Sequence, residues 1–282
     1  MTSAQPSLTW HVLQRRRGSL ADVRLECHHA VQLNTRFARG FLPERADDSH
    51  TSLTWDSGEQ SLRGEAVSTP EGPLTLSLRI ADLTMLANSG TGGTLPLSGK
   101  TIGEAKSWLA GLLRERGMEP APLEKPLHFK LDEHPLLHVA KFSIDGRESS
   151  FRQLSDYYHD ASLVLQVLAD AHAGASPVRC WPHHFDIATL LPGGGPRLET
   201  IGVGLLPGDQ TYADPYFYVS PLPYPSGVLP ALASGFWHTA AWTGAVLSSQ
   251  SIEAAAAPTE QQRIVEQFIG GALGALRSLS SS

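Results

Sequence analysis

The run RCWPHHFDIATLL, from Arg179 to Leu191, places His183, His184 and Asp186 within four residues. Two imidazoles and a carboxylate so close suit a metal site, a general base oriented by a carboxylate, or an ordinary stretch of sheet. Read as one strand, the side chains alternate between faces. Trp181, His183, Phe185 and Ile187 then share a large apolar face, and Pro182, His184, Asp186 and Ala188 share the other. The first set is expected to face the core, with His183 beside Trp181 and Phe185 and bonded to a partner. His184 and Asp186 are the candidate catalytic pair, Asp186 orienting His184 as general base.

The next strands extend that outer face. In Leu198–Leu206, burying Ile201, Val203 and Leu205 leaves Gly202 and Gly204 outward. In Tyr216–Ser220, burying Phe217 and Val219 leaves Tyr216 and Tyr218 outward. Glycine in a strand often marks close approach by a ligand or another backbone. Gly235-Phe236-Trp237-His238, with Trp242, adds an aromatic cluster. The candidate ligand-binding residues are therefore Gly202, Gly204, Tyr216, Tyr218, Trp237 and His238. No metal residues are assigned; a metal-assisted variant would use His184 and Asp186 with His238. The competing reading covers this face with a helix and closes the core with the aromatics. A bulge at Pro182 would reverse the first strand's faces.

Other patterns are weaker. Glu26-x-x-His29 and Asp156-x-x-His159 fall on helices at a spacing used by di-metal bundles. With 12 His and 28 acidic residues, that spacing arises about once by chance, and Glu26 and His29 fall on the side expected to be wet. Ser98-Gly99-Lys100-Thr101 lacks the upstream glycine of a phosphate loop, so Thr101 reads as a helix cap. Gly193-Gly194-Gly195 joins two strands and is no dinucleotide fingerprint. There is no GxSxG nucleophile turn.

The elements that position these residues follow from periodicity. Ser19 opens a helix with a buried stripe of Leu20, Val23, Cys27, Ala30, Val31, Asn34 and Ala38, stopped at Gly40. Antiparallel strands follow, among them one alternating Leu74, Leu76, Leu78 and Ile80 with Thr75, Ser77 and Arg79, then a turn from Ser89 to Gly93. Thr101 and Glu104 form a capping box for a helix ending at Gly117. Residues 118 to 148 make a Pro-rich connector, and a helix spans about 150 to 173. Three strands over 178–190, 198–206 and 216–220 precede a last helix from Pro258. The fold class is α+β, two similar halves, each an antiparallel sheet flanked by helices in the repeated order helix–strands–helix. The boundary is placed between residues 122 and 123, giving halves 1–122 and 123–282.

Composition bounds the function. The chain has 282 residues, 41% hydrophobic and 18% charged, with a net charge of -6. Arg15-Arg16-Arg17 alone is too short to track a phosphate backbone, so nucleic acid is not an expected partner. Cys27 and Cys180 have no CxxC spacing, which excludes a cysteine zinc knot or disulfide framework and fits a reducing cytoplasm. The N-terminus lacks the features of a secretory signal, and no apolar run approaches the ~20 residues of a membrane span. The expected location is cytoplasmic, with no membrane partner.

WPHHFD, Leu206-Pro-Gly-Asp209, Asp214-Pro-Tyr-Phe-Tyr218 and Pro223-Tyr-Pro225, with Asp47-Asp48-Ser49-His50-Thr51 earlier, together resemble a bacterial family of uncharacterised proteins, domain of unknown function family 5996. The resemblance spans most of the chain and implies no known reaction. The favoured function is a small-molecule-binding module with a polar and aromatic pocket on the second sheet. Enzyme and structural or partner-binding readings are the alternatives. No cofactor is expected, a bound divalent metal being the one exception considered. The residues do not specify an oligomeric state.

Overall fold

The computed structural model describes residues 9–14, 20–88, 90–195, 198–225 and 227–280, with Gly194 and Ser280 by backbone alone. The expected cap at Ser19, the Arg15–Arg17 run and Ser89 lie outside the described residues. Among the described residues, five helices and three antiparallel sheets make an α+β fold. The chain divides into two units, each discontinuous in sequence. The amino-terminal unit comprises Asp22–Ser155 and Cys180–Phe185; the carboxy-terminal unit comprises Met1–Ala21, Asp156–Arg179 and Asp186–Ser282. The division is therefore not a single cut between residues 122 and 123.

In the amino-terminal unit, α1 (Ala21–Phe41) carries the expected stripe but is buried on nearly every side. Glu26 and His29, expected to be wet, are 5% and 3% exposed. Burial is tolerated because each has partners. Glu26 accepts from the Ser143 amide at 2.9 Å and from the Arg147 guanidinium, and His29 Nε2 meets the Asp132 carbonyl at 3.1 Å. The helix runs through Gly40, where a Cβ would lie 3.1 Å from the Pro122 carbonyl oxygen. Close packing, not a left-handed stop, is what needs glycine there.

Strands β1 (Thr54–Asp56), β2 (Ser61–Arg63), β3 (Val67–Thr69), β4 (Gly72–Leu74), β5 (Leu76–Arg79), β6 (Thr84–Ala87) and β7 (Thr94–Pro96) follow. Five of them form a sheet in the order β1-β2-β5-β6-β7, and β3 pairs with β4. Thr75 and Ser77 are buried along with their leucine neighbours, so this stretch is covered on both faces. Helix α2 (Ile102–Glu115) opens on the expected capping box: the Glu104 amide donates to Thr101 Oγ1, and the Thr101 amide donates to Glu104.

Helix α3 (Glu148–Asp170) contains one unit boundary and β8 (Arg179–Trp181) contains another. The carboxy-terminal unit then holds β9 (Asp186–Gly195), β10 (Leu198–Leu206), β11 (Tyr216–Leu222), β12 (Phe236–His238), β13 (Gly244–Ser248), α4 (Ser249–Glu253) and α5 (Pro258–Ser280). Its strands run β12-β13-β11-β10-β9, all antiparallel. The two sheets thus differ in strand order. Ile187, Ile201, Val203, Leu205, Phe217, Val219 and Ala245 are fully buried along one sheet face. Val265, Phe268, Ile269, Ala272 and Leu276 make α5 the apolar partner this sheet requires. Among the described residues no helix is long and apolar enough to cross a membrane. Cys27 and Cys180 are buried and not joined in a disulfide.

Candidate functional site

His183 and His184 do not lie on a strand. Residues 182–185 form a turn between β8 and β9. The amides of His184 and Phe185 both donate to the Trp181 carbonyl, at 3.2 and 2.7 Å, and Phe185 takes φ +57°. That left-handed residue breaks the alternation on which the opposite-face expectation rested. The turn belongs to the amino-terminal unit and is held there by backbone bonds between Cys180 and Leu53. His28 Nε2 and Gln32 Nε2 meet the Pro182 carbonyl at 2.8 and 2.9 Å.

The two imidazoles lie 4.4 Å apart, ring to ring. His184 is exposed, and His183 is half-buried near Trp181 and Phe129. His183 Nδ1 is buried without a hydrogen-bond partner, contrary to the expectation of a satisfied core histidine. Burial, helped by neighbouring His184, pushes the His183 pKa down to about 4, against the pull of Asp48. The ring is neutral at pH 7.

Asp186 opens β9 in the carboxy-terminal unit, and here the parity of the sheet holds. Ala188 pairs with Gly204 and Gly204 with Tyr218, while Gly202 pairs with Ser220. Asp186, Gly202, Gly204, Tyr216 and Tyr218 therefore share one face. His238 joins them: it pairs with Gly244, two residues from Val246, which pairs with Tyr218. Trp237 pairs with Ala245 and lies on the opposite face, its indole donating to the Pro230 carbonyl at 2.7 Å.

The space over Gly204 is filled by the protein itself. A Cβ there would stand 2.6 Å from the Ile187 carbonyl oxygen and 2.8 Å from the Tyr218 hydroxyl. That hydroxyl donates to Asp186 Oδ2 at 2.6 Å. Gly204 serves Tyr218 rather than a ligand, and Gly202 has only ordinary contacts around a Cβ. Tyr216 likewise donates to Asp209 Oδ2 at 2.7 Å, while Asp209 Oδ1 accepts from the amides of Thr211 and Tyr212. Burial, reinforced by these carboxylates, pushes both phenols up, so they stay protonated donors. The residues of the Phe-Asp, Pro-Gly-Asp and Tyr-Phe-Tyr segments thus pair with one another.

His238 differs. Its Nδ1 lies 2.9 Å from the Tyr212 hydroxyl, and its Nε2 is buried without a hydrogen-bond partner. Trp242 stacks on the imidazole at 4.6 Å. Tyr212 stands edge-on to Phe236, His238 and Tyr216 at 6.0, 5.7 and 5.1 Å. Tyr212 and Asp209 were not singled out from sequence as site residues. They sit in a loop where strand parity gives no guidance.

One set of side chains among the described residues has donor atoms close enough for a metal, and it lies off this face: His11, His159 and Asp160. The chain matches no protein-family model, no curated protein and no solved structure.

Proposed function

We propose that the protein binds a small organic molecule at the aromatic cluster of the carboxy-terminal sheet. The ligand's planar or apolar body would rest among Tyr212, Phe236 and Trp242, and one polar group would meet His238 Nε2. The observation that carries this reading is the unspent Nε2. A buried polar atom left without a partner costs about 1–3 kcal/mol, and a bound hydrogen-bonding group would remove that cost. Convergent aromatic surface around a few placed polar atoms is the usual make-up of such sites. Phe236 is 44% exposed, which gives the cluster an open side.

The general-base reading of His184 and Asp186 loses its support. Asp186 spends one oxygen on Tyr218, and His184 is an exposed turn residue of the other unit. Membership of domain of unknown function family 5996 is part of this proposal and adds no reaction to it.

The test is a thermal-shift screen of the purified chain against planar metabolites bearing a donor or acceptor, followed by calorimetry of the hits. Binding near one equivalent, lost in His238→Phe but kept in Trp237→Phe, is the expected result. Hits that bind both variants equally would overturn it. A ligand recovered chemically changed would move the reading to an enzyme.

A further inference from the structure

The pair Asp156-x-x-His159, which chance alone accounts for in the sequence, meets a third partner that sequence does not reveal. His11 lies beside α3, and its backbone amide donates to Asp160 Oδ1 at 2.8 Å, 149 residues away. The His11 and His159 rings stack at 4.2 Å, only 12° from parallel. One donor atom each from His11, His159 and Asp160 fall within 4.8 Å of one another. We propose that these three side chains bind a divalent transition-metal ion, with Asp156 as the residue that positions His11.

The hydrogen bonds already present select the ligating atoms. His11 Nδ1 lies 2.7 Å from Asp156 Oδ1. A proton held there leaves the lone pair on Nε2, the carboxylate–histidine arrangement that commonly orients metal ligands. His159 Nε2 lies 3.2 Å from the Thr9 carbonyl, which can only accept. That nitrogen must therefore donate, and the lone pair falls on Nδ1. Both imidazoles are thus held in tautomers that offer a lone pair.

Asp160 supplies the independent observation. It is 0% exposed, and its Oδ2 is buried with no hydrogen-bond partner. Orphaned hydroxyls also occur at Ser61 and Ser77, and these alone would mean little. At Asp160 the orphaned side chain is instead one whose carboxyl has an oxygen within 4.8 Å of a ring nitrogen of both His11 and His159. The side chains of His11 and Asp156 remain 31% and 30% exposed, so an ion has a route from solvent.

Two imidazoles and one carboxylate suit Zn²⁺ or Fe²⁺ over Mg²⁺ or Ca²⁺. Metal–ligand bonds of about 2.0–2.2 Å put tetrahedral donors about 3.4 Å apart, so the donors must close in from separations of up to 4.8 Å. Three protein ligands leave coordination positions for water. Residues 9–14 are also anchored independently, since Gln261 bonds both the amide and the carbonyl of Leu13, at 2.9 and 2.8 Å. The segment that carries His11 is therefore held beside α3 before an ion arrives, and the stacked rings must tilt to aim both lone pairs at it.

The experiment uses the full untagged chain, stripped with a chelator and titrated with Zn²⁺ by calorimetry, and with Co²⁺ by visible absorption. Expected are one tight equivalent of Zn²⁺ and a Co²⁺ spectrum of low coordination number. His11→Gln and Asp160→Asn should each weaken Zn²⁺ at least a hundredfold. Asp160→Asn keeps an acceptor for the His11 amide, and His11 is only half-buried, so one of the two variants is expected to fold. His184→Ala should bind as the parent does. Absence of binding to the parent chain, or binding unchanged in the folded variants, overturns the proposal.

Discussion

On the carboxy-terminal sheet, Tyr218 and Tyr216 each set a phenol on a carboxylate, at 2.6 and 2.7 Å. On α3, Asp160 is buried at least as deeply but keeps one oxygen without a partner. Both regions are rich in residue types that do chemistry. Only in the second does a fully buried carboxyl share its neighbourhood with two imidazoles rather than with phenols. A phenol–carboxylate pair gives the buried hydroxyl its acceptor and supports the segments it joins. A buried carboxyl with two imidazoles beside it is the donor set on which the proposed metal site rests. Residue type identifies where chemistry is conceivable; how the donors and acceptors are grouped tells a supporting pair from a candidate site.

Substitutions on the sheet sharpen this contrast. The largest effect is expected from Gly204→Ala, because the added methyl meets a strand carbonyl and the Tyr218 hydroxyl, neither of which yields cheaply. A loss of about 3 kcal/mol in urea denaturation is expected. A neutral result would mean that Tyr218 can leave its place. Next comes acidification. Burial lowers the pKa of His28, as it does that of His183, to about 4, whereas both titrate near 6.5 when unfolded. Between pH 6.5 and 4 the unfolded chain binds protons that the folded chain refuses, so stability falls as pH falls. For His28 the loss is on the order of 2–3 kcal/mol, measured by denaturation at pH 7 and pH 4.5; His28→Gln should flatten the slope.

Tyr218→Phe leaves Asp186 Oδ2 without its donor and should cost about 1–3 kcal/mol. The smallest effect belongs to His184→Ala, an exposed turn residue, expected within about 0.5 kcal/mol of the parent. A loss of several kcal/mol there would restore His184 as a structural or functional residue.

Sequence patterns with local causes were legible. The capping box at Thr101 and Glu104, the α5 stripe and the bounds of β10 all follow from residues close in the chain. So does the shared face of Asp186, Gly204 and Tyr218. What was not legible depends on distant partners. The strand expected over 178–190 is interrupted because His28 and Gln32, some 150 residues earlier, hold the Pro182 carbonyl. Strands β12 and β13 are only 3 and 5 residues long, too short to show alternation among tryptophans and glycines. Helix α1 has a polar side that reads as wet, and only the connector covering Glu26 and His29 makes it dry. His11 carries no local signal, and its role depends on a helix that begins at residue 148.

The most direct measurement is a melting comparison of the parent chain, Asp160→Asn and Tyr218→Phe, each with and without saturating Zn²⁺. An ion that binds only the folded state at a hundred times its dissociation constant adds about 2.7 kcal/mol. The parent and Tyr218→Phe should both gain that stabilisation, Tyr218→Phe from a lower starting temperature. Asp160→Asn should start near the parent and gain nothing. A zinc shift retained in Asp160→Asn, or abolished in Tyr218→Phe, would contradict the distinction drawn between the two regions.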